Sequence, residues 1–168
     1  MTVITTTNAD WDILADVRDT LADAEVSAGV AAFKHVVIGE DADDFATTAT
    51  GTPAALVRLS GSEEADPADS ADGHVVLLEI EVLVRTRKAD ARNAAAERIE
   101  DVGRLLNLAA NALMADPTRG GNARAAIVDG KLRPATQIRR RRTIDTDEAF
   151  ATGSLQLLCA LPVTDAGR

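Results

Sequence analysis

The sequence predicts an α+β fold: a mixed, mostly antiparallel sheet with one long helix packed on one face, a shorter N-terminal helix and an extended C-terminal β-hairpin. Three observations carry that expectation. His74 to Arg87 is an alternating, β-branched run, long for a strand of a globular protein. Ala89 to Ala115 carries its apolar residues at helical spacing. The last third returns to short alternating runs broken by turn signals. Long strands crossed by one major helix bury their apolar faces as packed layers. No repeat and no linker interrupts the order, so residues 1–168 are expected to form one domain.

Each element has its own signal. Ile13, Val17 and Leu21 recur every fourth residue with Leu14 beside them, a narrow helical stripe within Asp10 to Ala24. Asn8 or Asp10 suits the N-cap, and Asp12 and Asp16 favour the positive end of the helix dipole. Phe33 to Ile38, closed by Gly39, is a strand pattern, and Ala54 to Ser60 is a second. Glu40 to Thr52 reads as a loop, and Gly61 to Gly73, acidic and without periodicity, as a mobile acidic loop.

In the long strand, Val76, Leu78, Ile80, Val82 and Val84 share one face. The other face carries Val75, Leu77, Glu79, Glu81, Leu83 and Arg85 and turns polar from Glu79, which predicts half-burial. Ile99, Val102, Leu106, Ala109 and Leu113 form the stripe of the long helix, supported by Leu105, and Asp116-Pro117 ends it. Gly103 costs that helix about 1 kcal/mol relative to Ala, and close packing against the sheet is the expected reason. Ala123 to Val128 is a short strand turned by Asp129-Gly130. Thr136 to Ile144 and Ser154 to Leu161 are the last strands, and Pro162 stops the second.

Composition narrows the function classes. Hydrophobic residues make up 46% and charged residues 27%, yet there are only three Phe, one Trp and no Tyr. The core must be aliphatic, and base stacking, which needs aromatic faces, is not expected. A net charge of −9 tells against general affinity for nucleic acid or acidic membranes. One Cys and two distant His make neither an intrachain disulfide nor a zinc pattern. No apolar run is long enough to span a membrane, and Met1 to Asp10 lacks the texture of a signal peptide, so a cytosolic product is expected.

The chemistry-bearing residues read blandly. His35 and His74 stand at strand starts without a triad or ligand spacing. Cys159 shares its face with Leu155, Leu157 and Leu161, the place of a small core hydrophobe. Asp41, Asp43 and Asp44 lack the glycine and terminal glutamate of an EF-hand. Thr118-Arg119-Gly120-Gly121 follows a helix instead of opening one, so it makes no P-loop. No catalytic residue, metal ligand or cofactor is expected, and the chain is not expected to be an enzyme.

Arg139, Arg140, Arg141 and Arg142 need a different account in so acidic a chain. On a strand, Arg139 and Arg141 share one face and Arg140 and Arg142 the other, and Lys131 and Arg133 extend the basic ribbon. One reading is a solvated hairpin paired to Asp145, Asp147 and Glu148. The other is an interface or channel wall, with arginines meeting acidic loops of a neighbouring subunit or facing DNA inside a ring.

A leading helix (Trp11 to Ala24), a long strand ending in a basic turn (Val75 to Lys88), an Ala-rich helix and a returning hairpin (Ala135 to Leu161) resemble the tail terminator and neck proteins of tailed bacteriophages. The junction Val82-Leu83-Val84-Arg85-Thr86-Arg87-Lys88-Ala89-Asp90, followed by Ala94, Ala95, Ala96 and Glu97, is similar to theirs. The resemblance implies a virion structural protein, assembled in the host cytoplasm. It implies a homo-oligomeric ring, typically hexameric, that stops tail-tube growth and joins tail to head. Its partners would be itself, the tail tube protein and the neck or connector proteins, with DNA passing non-specifically through the lumen and no membrane. Strand edges of the long hairpins would extend sheets between subunits. Arg85 and Arg87 then join Arg133 and Arg139 to Arg142 as interface or lumen candidates. The alternatives are another head–tail connector or head-completion protein, a small cytosolic adaptor domain, and an enzyme of unknown class.

Overall fold

The computed structural model describes residues 9–39, 51–65, 75–87, 94–145 and 150–162. Helix α1 (Ala9–Ala22) is followed by a small hairpin, β1 (Glu25–Ser27) and β2 (Val30–Ala31), and by β3 (His35–Ile38). Then come β4 (Ala54–Ala65), β5 (Val75–Arg87), helix α2 (Ala94–Ala115), a second small hairpin of β6 (Ala126–Val128) and β7 (Lys131–Arg133), β8 (Thr136–Asp145) and β9 (Phe150–Pro162). The main sheet has the order β3-β4-β5-β9-β8, parallel between β3 and β4 and antiparallel elsewhere. The fold is α+β, with the long helix and the shorter N-terminal one on the same face of the sheet.

Sheet position explains β5. It pairs with β4 on one side and along its whole length with β9 on the other. Leu78, Ile80, Val82 and Val84 enter the main core with Ile13, Val17 and Leu21 of α1 and Val102, Leu106, Ala109 and Leu113 of α2. The opposite face is not the polar surface that half-burial predicts. Val75 and Leu77 are sealed with Leu158 and Ala160 under Ala126 and Val128 of the β6–β7 hairpin. Leu83 packs with Ala54 and Leu56 at the other end. Charge enters that face in the middle, at Glu79 and Glu81, and again beyond Leu83, at Arg85 and Arg87.

Other expectations shift at the edges. Gly61 to Ala65 are not loop: β4 continues through an irregularity at Ser60 until Ala65 pairs with Val75. Backbone pairing offered by β5 overrides the lack of side-chain periodicity, because a ladder needs no apolar face. The strand expected from Phe33 is β3 and starts at His35, and the small β1–β2 hairpin before it had no sequence signal. Residues 40–50, 66–74 and 88–93, including His74 and the acids Asp41, Asp43 and Asp44, lie outside the described residues.

On α2, Ile99 is 44% exposed and so stands outside the buried stripe. Gly103 faces open space, since a Cβ there would meet nothing within 4 Å; close packing is not its reason. Asp129 and Gly130 do make the expected turn, both with positive φ, 52° and 67°.

Candidate assembly interface

The arginine run lies on β8, an edge strand of the main sheet. Ile138 pairs with Leu157, but the next paired residue, Arg140, faces Gln156, so Arg139 is the extra residue of a β-bulge. That insertion breaks the alternation expected from sequence. Arg139 Nη1 lies 3.3 Å from Glu79 Oε1 on the helix-free face. Arg141 Nη1 donates to Asn107 Oδ1 of α2 at 2.5 Å on the other face. The two therefore do not share a side. Arg140 and Arg142 pair in register with Gln156 and Ser154, and their side chains lie outside the description.

Asp147, Glu148 and the side chain of Asp145, the partners expected for a solvated hairpin, lie outside the description. Arg139 and Arg141 contact Glu79 and Asn107. Glu79 neighbours a second cross-strand pair: Arg58 on β4 sits opposite Glu81, with its Nε donating at 2.8 Å. These half-buried pairs form a charged belt across the middle of the helix-free face, between its two apolar ends.

Arg85 and Arg87 stand at the end of β5, where Arg85 lies 4.0 Å and Arg87 5.7 Å from the centroid of the Phe150 ring. Both are within cation–π range. Arg85 is level with Thr152 on β9, which is level with Ile144 on β8. The ends of β5 and β8 thus bring Arg85, Arg87 and the far end of the run to one end of the sheet. Arg133 is elsewhere, half-buried on β7 opposite Ala126.

The residue that matters most for local order is one that the sequence offered only as part of a glycine-rich turn. Arg119 is fully buried, with a left-handed backbone (φ 49°). Its Nη2 donates to the carbonyls of Leu113 and Asp116 at the end of α2, and its Nη1 meets Asp16 Oδ2 at 3.0 Å and Thr20 Oγ1 at 3.4 Å. One guanidinium fork therefore caps α2 and ties it to α1. Asp116 closes the same turn by accepting from Thr118 and from Gly120 N. Those bonds hold its carboxyl below the usual range, whereas burial pushes Asp16 above it despite Arg119. A basic residue just past a helix end, beside an Asp-Pro stop, was the available signal.

Cys159 is buried at 3.6 Å from Thr136 Oγ1, and burial pushes its thiol up, so it stays protonated near neutral pH. His35 is exposed at the start of β3. Among the described residues no group of three or more His, Cys, Asp or Glu could hold a metal ion, and no helix is long and apolar enough to cross a membrane. What the described surface does present is charge, a bulged edge and several exposed apolar side chains. No protein-family model and no curated protein matches the chain.

Proposed function

We propose that this chain is a structural virion protein that forms a ring at the head-proximal end of a phage tail tube, terminating tube growth and joining the tail to the neck and head. The supporting observation is the long β8–β9 hairpin, which returns to the sheet after the single long helix and carries a dense arginine edge. In that role the subunit does no chemistry. It binds copies of itself, the tail tube protein and neck proteins. Ring closure multiplies a modest contact, so no single interface need be strong. Arg85, Arg87 and the Arg142 end of the run lie toward one end of the sheet, on strands either side of β9, a place suited to a neighbouring subunit or to DNA in the lumen.

Light scattering of the purified chain at several concentrations and two salt levels tests the ring. A species of about 106 kDa, six copies of the 17.6 kDa chain, supports it. A chain that stays monomeric and also fails to decorate tail tubes in electron micrographs overturns it.

A further inference from the structure

The charges of the chain are divided between the two faces of the main sheet. Helices α1 and α2, which share one face, carry seven acidic residues against three arginines. On the helix-free face Arg58 and Arg139 are ion-paired to Glu81 and Glu79. Beyond Leu83 that face turns basic. Arg85 and Arg87 stand there two residues apart, with the Arg85 guanidinium over the Phe150 ring and that of Arg87 beside it. A ring attracts a guanidinium but leaves its net charge in place and its N–H edges able to donate. By register, Arg142 stands opposite Ser154, which stands opposite Leu83, so the far end of the arginine run reaches the same end of the sheet.

The surroundings of this basic end decide what fits it. A protein partner would bury apolar anchors at the centre of its interface. None of the exposed large hydrophobic side chains among the described residues lies on β5, β8 or β9, and one face of the Phe150 ring is occupied by Arg85. Phosphates ask only for charge and donors, and a guanidinium offers both as a planar fork. We propose that this end of the helix-free face, centred on Arg85 and Arg87, binds the phosphate backbone of nucleic acid without reading its sequence.

The net charge of −9 does not forbid such binding, because the field at a surface is set by the charges within about a Debye length of it. The acidic helices, across the sheet, orient the chain with its helix layer away from the polyanion. With so few aromatic residues, base stacking adds little, so a duplex suffices as ligand. The ring proposed above leaves this place to a neighbouring subunit or to DNA; binding of nucleic acid by single chains does not require the ring.

Fluorescence anisotropy of a short labelled DNA duplex, titrated with the purified chain at several salt concentrations, tests the site. The logarithm of the affinity should fall linearly with the logarithm of salt concentration, and duplexes of unrelated sequence should bind alike. Arg85→Gln with Arg87→Gln should lower the affinity about tenfold or more and reduce the salt slope by about 2. Arg87→Gln alone, at an exposed position, should reduce it by about 1 even if the double variant folds poorly. Arg104→Gln, on α2 and paired with Glu100, should change neither quantity. Absence of binding at low salt, or a slope that neither variant moves, would overturn the site. Displacement of the duplex by polyglutamate at a lower charge concentration than unlabelled duplex needs would overturn it in favour of an acidic protein partner. All three outcomes leave the ring standing, whereas a chain that binds duplex but never associates, even on tubes, overturns the ring alone.

Discussion

Arg119 shows how much one side chain can organise. Burying a guanidinium is costly unless its donors are met, and here two carbonyls, a hydroxyl and a carboxylate meet its two terminal nitrogens, while Nε is buried without a hydrogen bond. Arg119→Ala leaves those acceptors unpaired and is expected to cost about 3–5 kcal/mol, a fall in Tm of roughly 10 °C measurable by thermal melting. Arg119→Lys should recover part of that loss, because an ammonium cannot reproduce the fork. The two nearby acids should titrate with opposite signs. Asp116 has a depressed pKa in the fold, so its contribution is present above its unfolded value of 3.8 and is lost as pH falls through the folded one. Asp16 is raised, so its contribution is present below 3.8 and is lost as pH climbs through its folded pKa. Asp116→Asn should therefore flatten the acid loss of stability, and Asp16→Asn should steepen it, both read from urea midpoints across the carboxylate range. An unaltered pH profile in both variants would contradict these assignments.

At the scale of elements, α2 separates what periodicity reveals from what it hides. Val102, Leu106, Ala109 and Leu113 could be named from spacing alone, since one helical face must meet the sheet. Ile99 has the same spacing but stays largely exposed, because the sheet does not cover the helix there. Ile99→Ala should cost less than about 0.5 kcal/mol, whereas Leu106→Ala should cost about 2–5 kcal/mol in denaturant unfolding. Gly103→Ala, with open space for its methyl, should add up to about 1 kcal/mol of stability. A destabilised Gly103→Ala variant would show that the glycine has a packing role after all. On β5, alternation identified the main-core face correctly. It missed the burial of the reverse face because the covering hairpin, β6–β7, comes about fifty residues later.

For the molecule as a whole, the two sheet faces have different character. One holds both helices and the main core. The other alternates apolar ends with the belt of Arg58, Glu81, Glu79 and Arg139. The belt pairs are partly solvated and contribute little to stability. Replacing Arg139 to Arg142 with Ser should accordingly leave the unfolding midpoint within about 1 kcal/mol of wild type and yet abolish ring formation or head joining, followed by light scattering and micrographs of tubes. A variant that assembles normally would remove the run from any interface.

The sequence by itself determined the fold class, the order of the main helices and long strands, the long central strand, the Asp129-Gly130 turn and the burial of Cys159. All of these follow from periodicity and turn chemistry, which act over a few neighbouring residues. Only the tertiary structure decided that β4 extends past Gly61, that a bulge sends Arg139 and Arg141 to opposite faces, and that Arg119 joins two helices. Each depends on a partner distant in the chain: β5 for β4, β9 for the register of β8, and Asp16 and Thr20 for Arg119. Local pattern sets which way a side chain can point, but a contact exists only where the fold brings its partner within reach.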